Sequence, residues 1–505
     1  MTTTIDSRAT RLGRGAPLAD LLVAPAEPAG TGIVHLGLGN FHRAHQAVYT
    51  ARALRAEPGD WGILGVANRS RRVVDALRAQ DHLYSVLEIS PSGSSVTVPG
   101  VHTGTLVAAE DPAAVVAALA APSTRIVTLS VTEHGYRIAP GTGRLDLAAD
   151  DVRHDLDPRT AGTPVTTVGQ VARALERRAL GHGEPVTVLS CDNLQANGST
   201  TRALVLDFLT ASGAEQDVLD WVAASVTFPN SMVDRIVPAT TARYADEVRR
   251  LTGLADAAPV PAERFTMWVL EDRFAAGRPA WEHGGAVFSD DVEAYELIKL
   301  RLLNGTHSLI AYLGALDGRE TIPDARAQSF VERAARAVIA EEYLPSITLP
   351  DGFDADAYVA QLFDRWSNSA LGHRTSQVGS DGSVKLPQRV PAPALRILRQ
   401  GAVPEHLALT VAAWLCCVAP IDGFDPGPHA AAMTDPAREH LAELARQTRG
   451  TDGLVEAVLA PGGLLGDELA DHPEFVARVA EQVRTIVAHG PCAAAQAAAE
   501  AARRS

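Results

Sequence analysis

The sequence predicts an α/β chain in two parts: a doubly wound, mostly parallel sheet within residues 1–288, then a mainly α-helical domain over 289–505. Three observations carry this. From residue 32 short apolar strand runs alternate with helix-like segments. A glycine-rich turn follows the first strand. Beyond about residue 288 the β-branched runs give way to long apolar segments of helical period.

Taken in order, GIVHLG (32–37) is an apolar strand and 41–55 reads as a helix; 61–66 is the second strand and 69–79 the next helix. Residues 82–89 and 95–101 read as a strand pair around the turn SPSGS (90–94), and 108–121 as a helix. RIVTLSV (125–131) is apolar enough to be buried on both faces. A polar, charge-rich insertion covers 136–164, a helix 166–180 and a strand PVTVLS (185–190), followed by a loop. In the second part helical period runs through 290–315, 324–343, 355–367, 390–399, 403–419, 434–447, 452–460 and 472–488. The alanine-rich end, 493–502, reads as a frayed terminal helix.

With 45 basic and 60 acidic residues among 505, the chain carries a formal charge of −15. No lysine- or arginine-rich stripe interrupts the acidic excess, which argues against nucleic acid and anionic membranes as partners. Cys191, Cys416, Cys417 and Cys492 form no CxxC pair, as expected in a reducing compartment. The opening MTTTIDSRATRLGRG lacks the apolar stretch of a secretory leader, and no segment approaches the ~18 apolar residues of a membrane span. A cytoplasmic protein whose partners are small molecules or other subunits is expected.

Ligands of open α/β sheets sit beyond the C-terminal strand ends. The first such end is Gly37-Leu38-Gly39-Asn40-Phe41-His42-Arg43, where two glycines permit a tight turn and a close approach of backbone to a pyrophosphate. The third expected small residue is His42 instead. The second strand ends at Asn68 and Arg69 without the usual ribose-binding acid. Glu57 and Asp60 lie at the right sequence distance but precede that strand, and Arg69 and Arg71 offer a 2′-phosphate site or are ordinary surface charges, so on these residues NAD against NADP stays open. Two further strand ends, Thr132-Glu133-His134-Gly135 and Cys191-Asp192-Asn193, are expected to converge on the same crevice. His35, His42 and His45 lack thiolate or carboxylate companions at ligand spacing, so no metal is expected.

In the second domain YELIKLRLLNGTHSLIAYL (295–313) is apolar nearly all round, which marks a buried helix. At 100° per residue His307 and Asn304 lie about 80° and about 140° round from Lys299, on one side. Oxidising a secondary alcohol with a nicotinamide requires a base for the hydroxyl proton, and burial can lower a lysine's pKa enough to serve. The Asn193 and Asn304 amides suit the developing alkoxide. Tyr295 and Lys299 also spell the YxxxK of short-chain dehydrogenases, but that group's glycine pattern is absent.

GIVHLGLGNFHRAHQAVYT, LSVTEHGY, VLSCDNLQANG, FPNSMVDRIVP, WVLEDRFAAGRPAWE and KLRLLNGTHS together resemble the polyol-specific long-chain dehydrogenases, from about residue 31 to about 420. That family includes mannitol 2-dehydrogenases, arabinitol dehydrogenases and fructuronate reductases. The resemblance implies a Rossmann-type domain, a helical domain, metal-free chemistry with NAD expected and NADP possible, and a monomer or weak homo-oligomer. It also implies Lys299 as general base, Asn193 and Asn304 as oxyanion donors, His307 orienting substrate and Glu296 passing the proton to solvent. Asp234 and Lys385 correspond to substrate-hydroxyl contacts. NSALGHRTSQVGSDGSVKLPQR (368–389) looks closer to the fructuronate reductases than to the mannitol dehydrogenases, and Arg374, Lys385 and Arg389 are candidate partners for a hexuronate carboxylate. Fructuronate reduction is therefore expected, with mannitol or arabinitol oxidation as the alternative and a non-catalytic dinucleotide sensor as the competing class.

Overall fold

The computed structural model describes residues 10–18, 20–25 and 29–504; the polar opening MTTTIDSRA lies outside them. The chain divides into two compact units, Met1–Glu293 and Ala294–Ser505.

The first unit is built on six parallel strands: β1 (Thr31–Leu36), β2 (Gly62–Ala67), β3 (His102–Val107), β4 (Ile126–Leu129), β5 (Val186–Ser190) and β6 (Val226–Thr227). Their spatial order is β3-β2-β1-β4-β5-β6, the Rossmann order in which the chain reverses direction across the sheet beside β1. Alternation along each strand fills two cores. Ile33, Ile63, Ile126 and Leu189 point into one, and Val34, Val66, Val127 and Val188 into the other. Helices cover both faces, so these strands are apolar on both sides.

Several sequence expectations need correction. The edge strand β3, HTGTLV, is missing from them, because its threonines and glycine give it no apolar run. The helix expected over 41–55 breaks at His45 (φ −115°, ψ −91°) into Asn40–Ala44 and Gln46–Ala56. After β5 the chain forms the helices Asn197–Ala211 and Gln216–Ser225 rather than only a loop. The strand pair is as expected but shorter, Val86–Ser90 against Gly93–Thr97.

The second unit is helical. Its last helix, Pro473–Ala502, turns at Gly490 and Pro491 and packs along Glu405–Val418. Ala494, Ala495, Ala498 and Ala501 are buried, so this end is a docked face rather than a frayed one. Two stretches, Lys299–Gly305 and Val338–Tyr343, are π-helical, and the segment 368–389 folds largely into the short helices Thr375–Gly379 and Gly382–Arg389. No helix of the described residues is long and apolar enough to cross a membrane.

Candidate active site

The glycine turn after β1 is held from below. Gly37 and Leu38 N–H both donate to the Val66 carbonyl, at 2.9 and 3.0 Å. Gly37 has φ +110°, and a Cβ there would stand 2.1 Å from the Ser130 carbonyl oxygen, so only glycine fits. Gly39 is exposed, leaving the outer side of the turn open to a phosphate-bearing ligand.

His42 and Arg43, expected at the cofactor, have their side chains buried beneath the loop. Arg43 donates to the Ala258 carbonyl (2.7 Å) and to Asn40 Oδ1 (2.7 Å), while Asn40 Nδ2 donates to Thr240 Oγ1 (3.1 Å). The His42 ring stacks on His35 with centroids 3.4 Å apart, and its Nε2 lies 3.0 Å from His102 Nε2. His35 Nε2 bonds the Gly37 carbonyl at 3.0 Å; a carbonyl only accepts, so that nitrogen carries the hydrogen, and Nδ1 lies 2.8 Å from Thr128 Oγ1. Burial holds His35 and His102 at about 3 and His42 well below its ordinary value, so the stack is neutral. Phe41, half-buried, stacks on His45. Among the described residues no group of His, Cys, Asp or Glu is arranged to hold a metal ion.

Leu36, Leu129 and Ser190 are in register, so the loops after β1, β4 and β5 emerge side by side. Asp192 joins two of them: its carboxylate accepts from Val131 N–H (2.9 Å), Thr132 N–H (3.1 Å) and the Tyr136 hydroxyl (2.8 Å). Thr132 has φ +69° and ψ 160°, a conformation that costs a β-branched residue about 1–3 kcal/mol and that these bonds maintain. Thr132, Glu133 and Asn193 are thereby exposed along the same sheet edge as Gly39. Asn197 Nδ2 donates to the carbonyls of Asp192 (3.1 Å) and Ser231 (2.8 Å), fastening the β5 loop to the strand Ser231–Asp234, where Asp234 is buried. Sequence reasoning missed Asp192 and Asn197 as organisers; the only signal was a polar residue directly before Asn193 and another four residues after it.

The second strand end is as bare as its sequence. Asn68 and Arg69 are exposed after β2, and Arg71 lies 3.3 Å from Glu110. Asp60 accepts from Gly30 N–H, which precedes β1, and so sits at the opposite edge of the sheet; Glu57 pairs with His283.

In the helical unit, Val292–Ile298 runs into the π segment Lys299–Gly305 and then the α-helix Thr306–Leu316. Burial deepens only beyond this first part, since Tyr295, Glu296, Leu297 and Lys299 are half-buried and Glu293 is exposed; the all-buried helix expected from sequence is corrected accordingly. The π segment alters the angular arithmetic as well. Closing turns by i→i+5 bonds reduces the rotation per residue, which carries Asn304 back from about 140° towards the face of Lys299. His307 lies one turn on, its ring 6.1 Å from those of Trp366 and His373, and its buried Nε2 has no hydrogen-bond partner. Burial first, then His373, Arg389, Arg365 and Lys385, keep its pKa well below the ordinary value.

Lys385 Nζ donates to the Ser380 carbonyl at 2.6 Å. Arg389 Nη1 donates to the Asn304 carbonyl (2.9 Å) and to Ser308 Oγ (2.6 Å). Arg374 is exposed, 3.6 Å from Glu320.

A Rossmann sheet with an open glycine turn, and a separate helical unit carrying a lysine, an asparagine and a neutral histidine, define a two-domain dehydrogenase. Residues 31–283 match the mannitol dehydrogenase Rossmann domain and 291–487 the mannitol dehydrogenase C-terminal domain, so the chain belongs to the mannitol dehydrogenase family. It is 38% identical over 462 residues to the D-mannonate oxidoreductase of Escherichia coli (strain K12), covering 91% of this chain and 93% of that one. To the mannitol 2-dehydrogenase of Aspergillus terreus it is 37% identical, covering 91% of each. The solved ternary complex of Pseudomonas fluorescens mannitol 2-dehydrogenase with NAD and D-mannitol superposes with a TM-score of 0.83 at 34% identity, covering 97% of this chain and all of that one.

Proposed function

We propose that this enzyme interconverts the secondary alcohol and ketone of a linear sugar acid, the D-mannonate/D-fructuronate pair, using NAD. The observation that carries the sugar acid is the charge around His307: Arg365 and Lys385 are among its cationic neighbours, and together they suit a carboxylate-bearing substrate better than an uncharged polyol. The relative named D-mannonate oxidoreductase supports the same reading.

Bound nicotinamide accepts the hydride in the oxidative direction and gives it back in reduction. The Lys299 amine accepts the hydroxyl proton as the hydride leaves carbon, and Glu296, three residues earlier, passes that proton to solvent. The Asn304 and Asn193 amides donate hydrogen bonds to the oxygen as it gains charge, a contribution greatest in the transition state. His307, neutral and with Nε2 unpartnered, orients a substrate hydroxyl, as do Asp234 and Lys385. The open turn at Gly37, Gly39, Asn40 and Phe41 fits a pyrophosphate, and Asn68, Arg69, Thr132 and Glu133 line the same strand-end edge. His42 and Arg43 support that turn through their buried side chains. We place this chemistry in a cytoplasmic enzyme of small molecules, active as a monomer or weak homo-oligomer.

Fructuronate, fructose, mannitol, mannonate and arabinitol, each assayed with the NAD and the NADP couples, test the proposal. The expected result is highest kcat/KM for the mannonate/fructuronate pair with NAD. Preference for mannitol would transfer the reading to a mannitol 2-dehydrogenase, and no turnover of any substrate would favour a sensor. Gly37→Ala is expected to abolish NADH binding by fluorescence titration, given the 2.1 Å approach to Ser130. Wild-type affinity in a folded Gly37→Ala protein would remove the turn from the cofactor site.

A further inference from the structure

We infer that Arg389 is a positioning residue, which sets the Asn304 amide by holding the π-helical turn that carries it. The inference rests on the proposed role of Asn304 as oxyanion donor. Inserting a π turn into an α-helix breaks the regular i→i−4 ladder, so carbonyls at the junction call for outside partners. The Asn304 carbonyl, one residue before the end of the π segment, receives Arg389 Nη1 at 2.9 Å, and the same nitrogen reaches Ser308 Oγ, in the α-helix beyond, at 2.6 Å. One guanidinium nitrogen thus bridges the two sides of the junction.

The surrounding packing has the same effect. A Cβ on Gly305 would stand 2.3 Å from Tyr343 Oη, so the π turn lies directly against the end of the second π segment, Val338–Tyr343. Tyr312 and Tyr343 are electrostatic neighbours of Arg389. The hydrogen bonds of Nη1 go to a carbonyl and a hydroxyl rather than to a carboxylate, which fits a group placed to satisfy backbone. Were the turn to relax to α geometry, Asn304 would rotate away from Lys299 towards the separation of about 140° expected at 100° per residue. A misplacement of about 1 Å in a reacting group can cost about 10²-fold in rate.

The experiment is a double-mutant cycle in the full chain with Arg389→Gln, Asn304→Ala and the pair, with Arg389→Lys as the conservative variant. Arg389→Gln is expected to lower kcat about 10–100-fold with sugar KM changed less than about 3-fold and NADH affinity unchanged. Arg389→Lys, which retains a donor for the carbonyl, is expected to recover part of that loss. The pair is expected to be no slower than Asn304→Ala alone, because Arg389 acts through Asn304. A loss expressed in KM, or penalties that multiply in the pair, would mean that Arg389 contacts substrate itself and would overturn the inference. An Asn304→Ala enzyme with wild-type kcat would instead overturn the reading of Asn304. If Arg389→Gln does not fold, the cycle is run with Arg389→Lys, where multiplying penalties would likewise overturn the inference.

Discussion

Replacing Lys299 by alanine is expected to lower turnover by roughly 10²–10⁴-fold, the range of a lost general base. The half-buried amine opens the π segment, five residues before Asn304, and no other lysine or carboxylate lies within that segment. NADH affinity should stay within about 2-fold of wild type, because the glycine turn belongs to the other unit. In the oxidative direction the rise of rate with pH should disappear, since alanine offers no amine to deprotonate. Small primary amines added to the assay should restore part of the rate. Near-normal turnover with an unchanged pH profile would remove Lys299 from the mechanism and direct the search for a base to His307 or Glu133.

Acidification from pH 7.5 to 5 is expected to destabilise the Rossmann unit strongly, through the imidazole stack beneath the glycine turn. Burial holds His35 and His102 at about 3 and His42 well below the ordinary value. In the unfolded chain all three titrate near 6.5. Below that pH the unfolded state binds protons that the native state refuses, so stability is full above about 6.5 and falls as the pH drops towards about 3. The slope is about 1.4 kcal/mol per pH unit for each histidine that stays neutral, so His35 and His102 together account for about 4 kcal/mol at pH 5, and His42 acts in the same direction. Geometry supplies the cause. The 3.0 Å contact between His42 Nε2 and His102 Nε2 requires one bare nitrogen, and protonating both rings would set two N–H groups against each other. Urea unfolding at a series of pH values measures this directly, and His102→Gln should reduce the slope by about a third. A midpoint that does not move between pH 7.5 and 5 would refute the neutral stack.

Much of the architecture was legible because it is written in local signals. Runs such as GIVHLG and RIVTLSV, spaced by helical segments, specify parallel strands through periodicity, and the paired glycines specify the turn. The polar set Lys299, Asn304 and His307 stood out from an apolar background for the same reason. The edge strand β3 escaped because half its residues are polar and its pairing with β2 is what makes it a strand.

The sequence by itself determined the two-part α/β and helical organisation, the position of the glycine turn and the residues proposed to carry the chemistry. Only the tertiary structure decided which way those residues face. His42 and Arg43 turn inward because His35, His102 and the Ala258 carbonyl lie beneath them. Asp192 became an organiser because the Val131 and Thr132 amides, some 60 residues earlier, come within reach. The π turn at Lys299–Gly305 is held by Arg389 and abuts Tyr343, one 85 residues beyond Asn304 and the other far past Gly305. Partners so distant along the chain leave no periodic trace, since hydrogen bonds closed by folding depend on where strands and helices pack rather than on the spacing of neighbours.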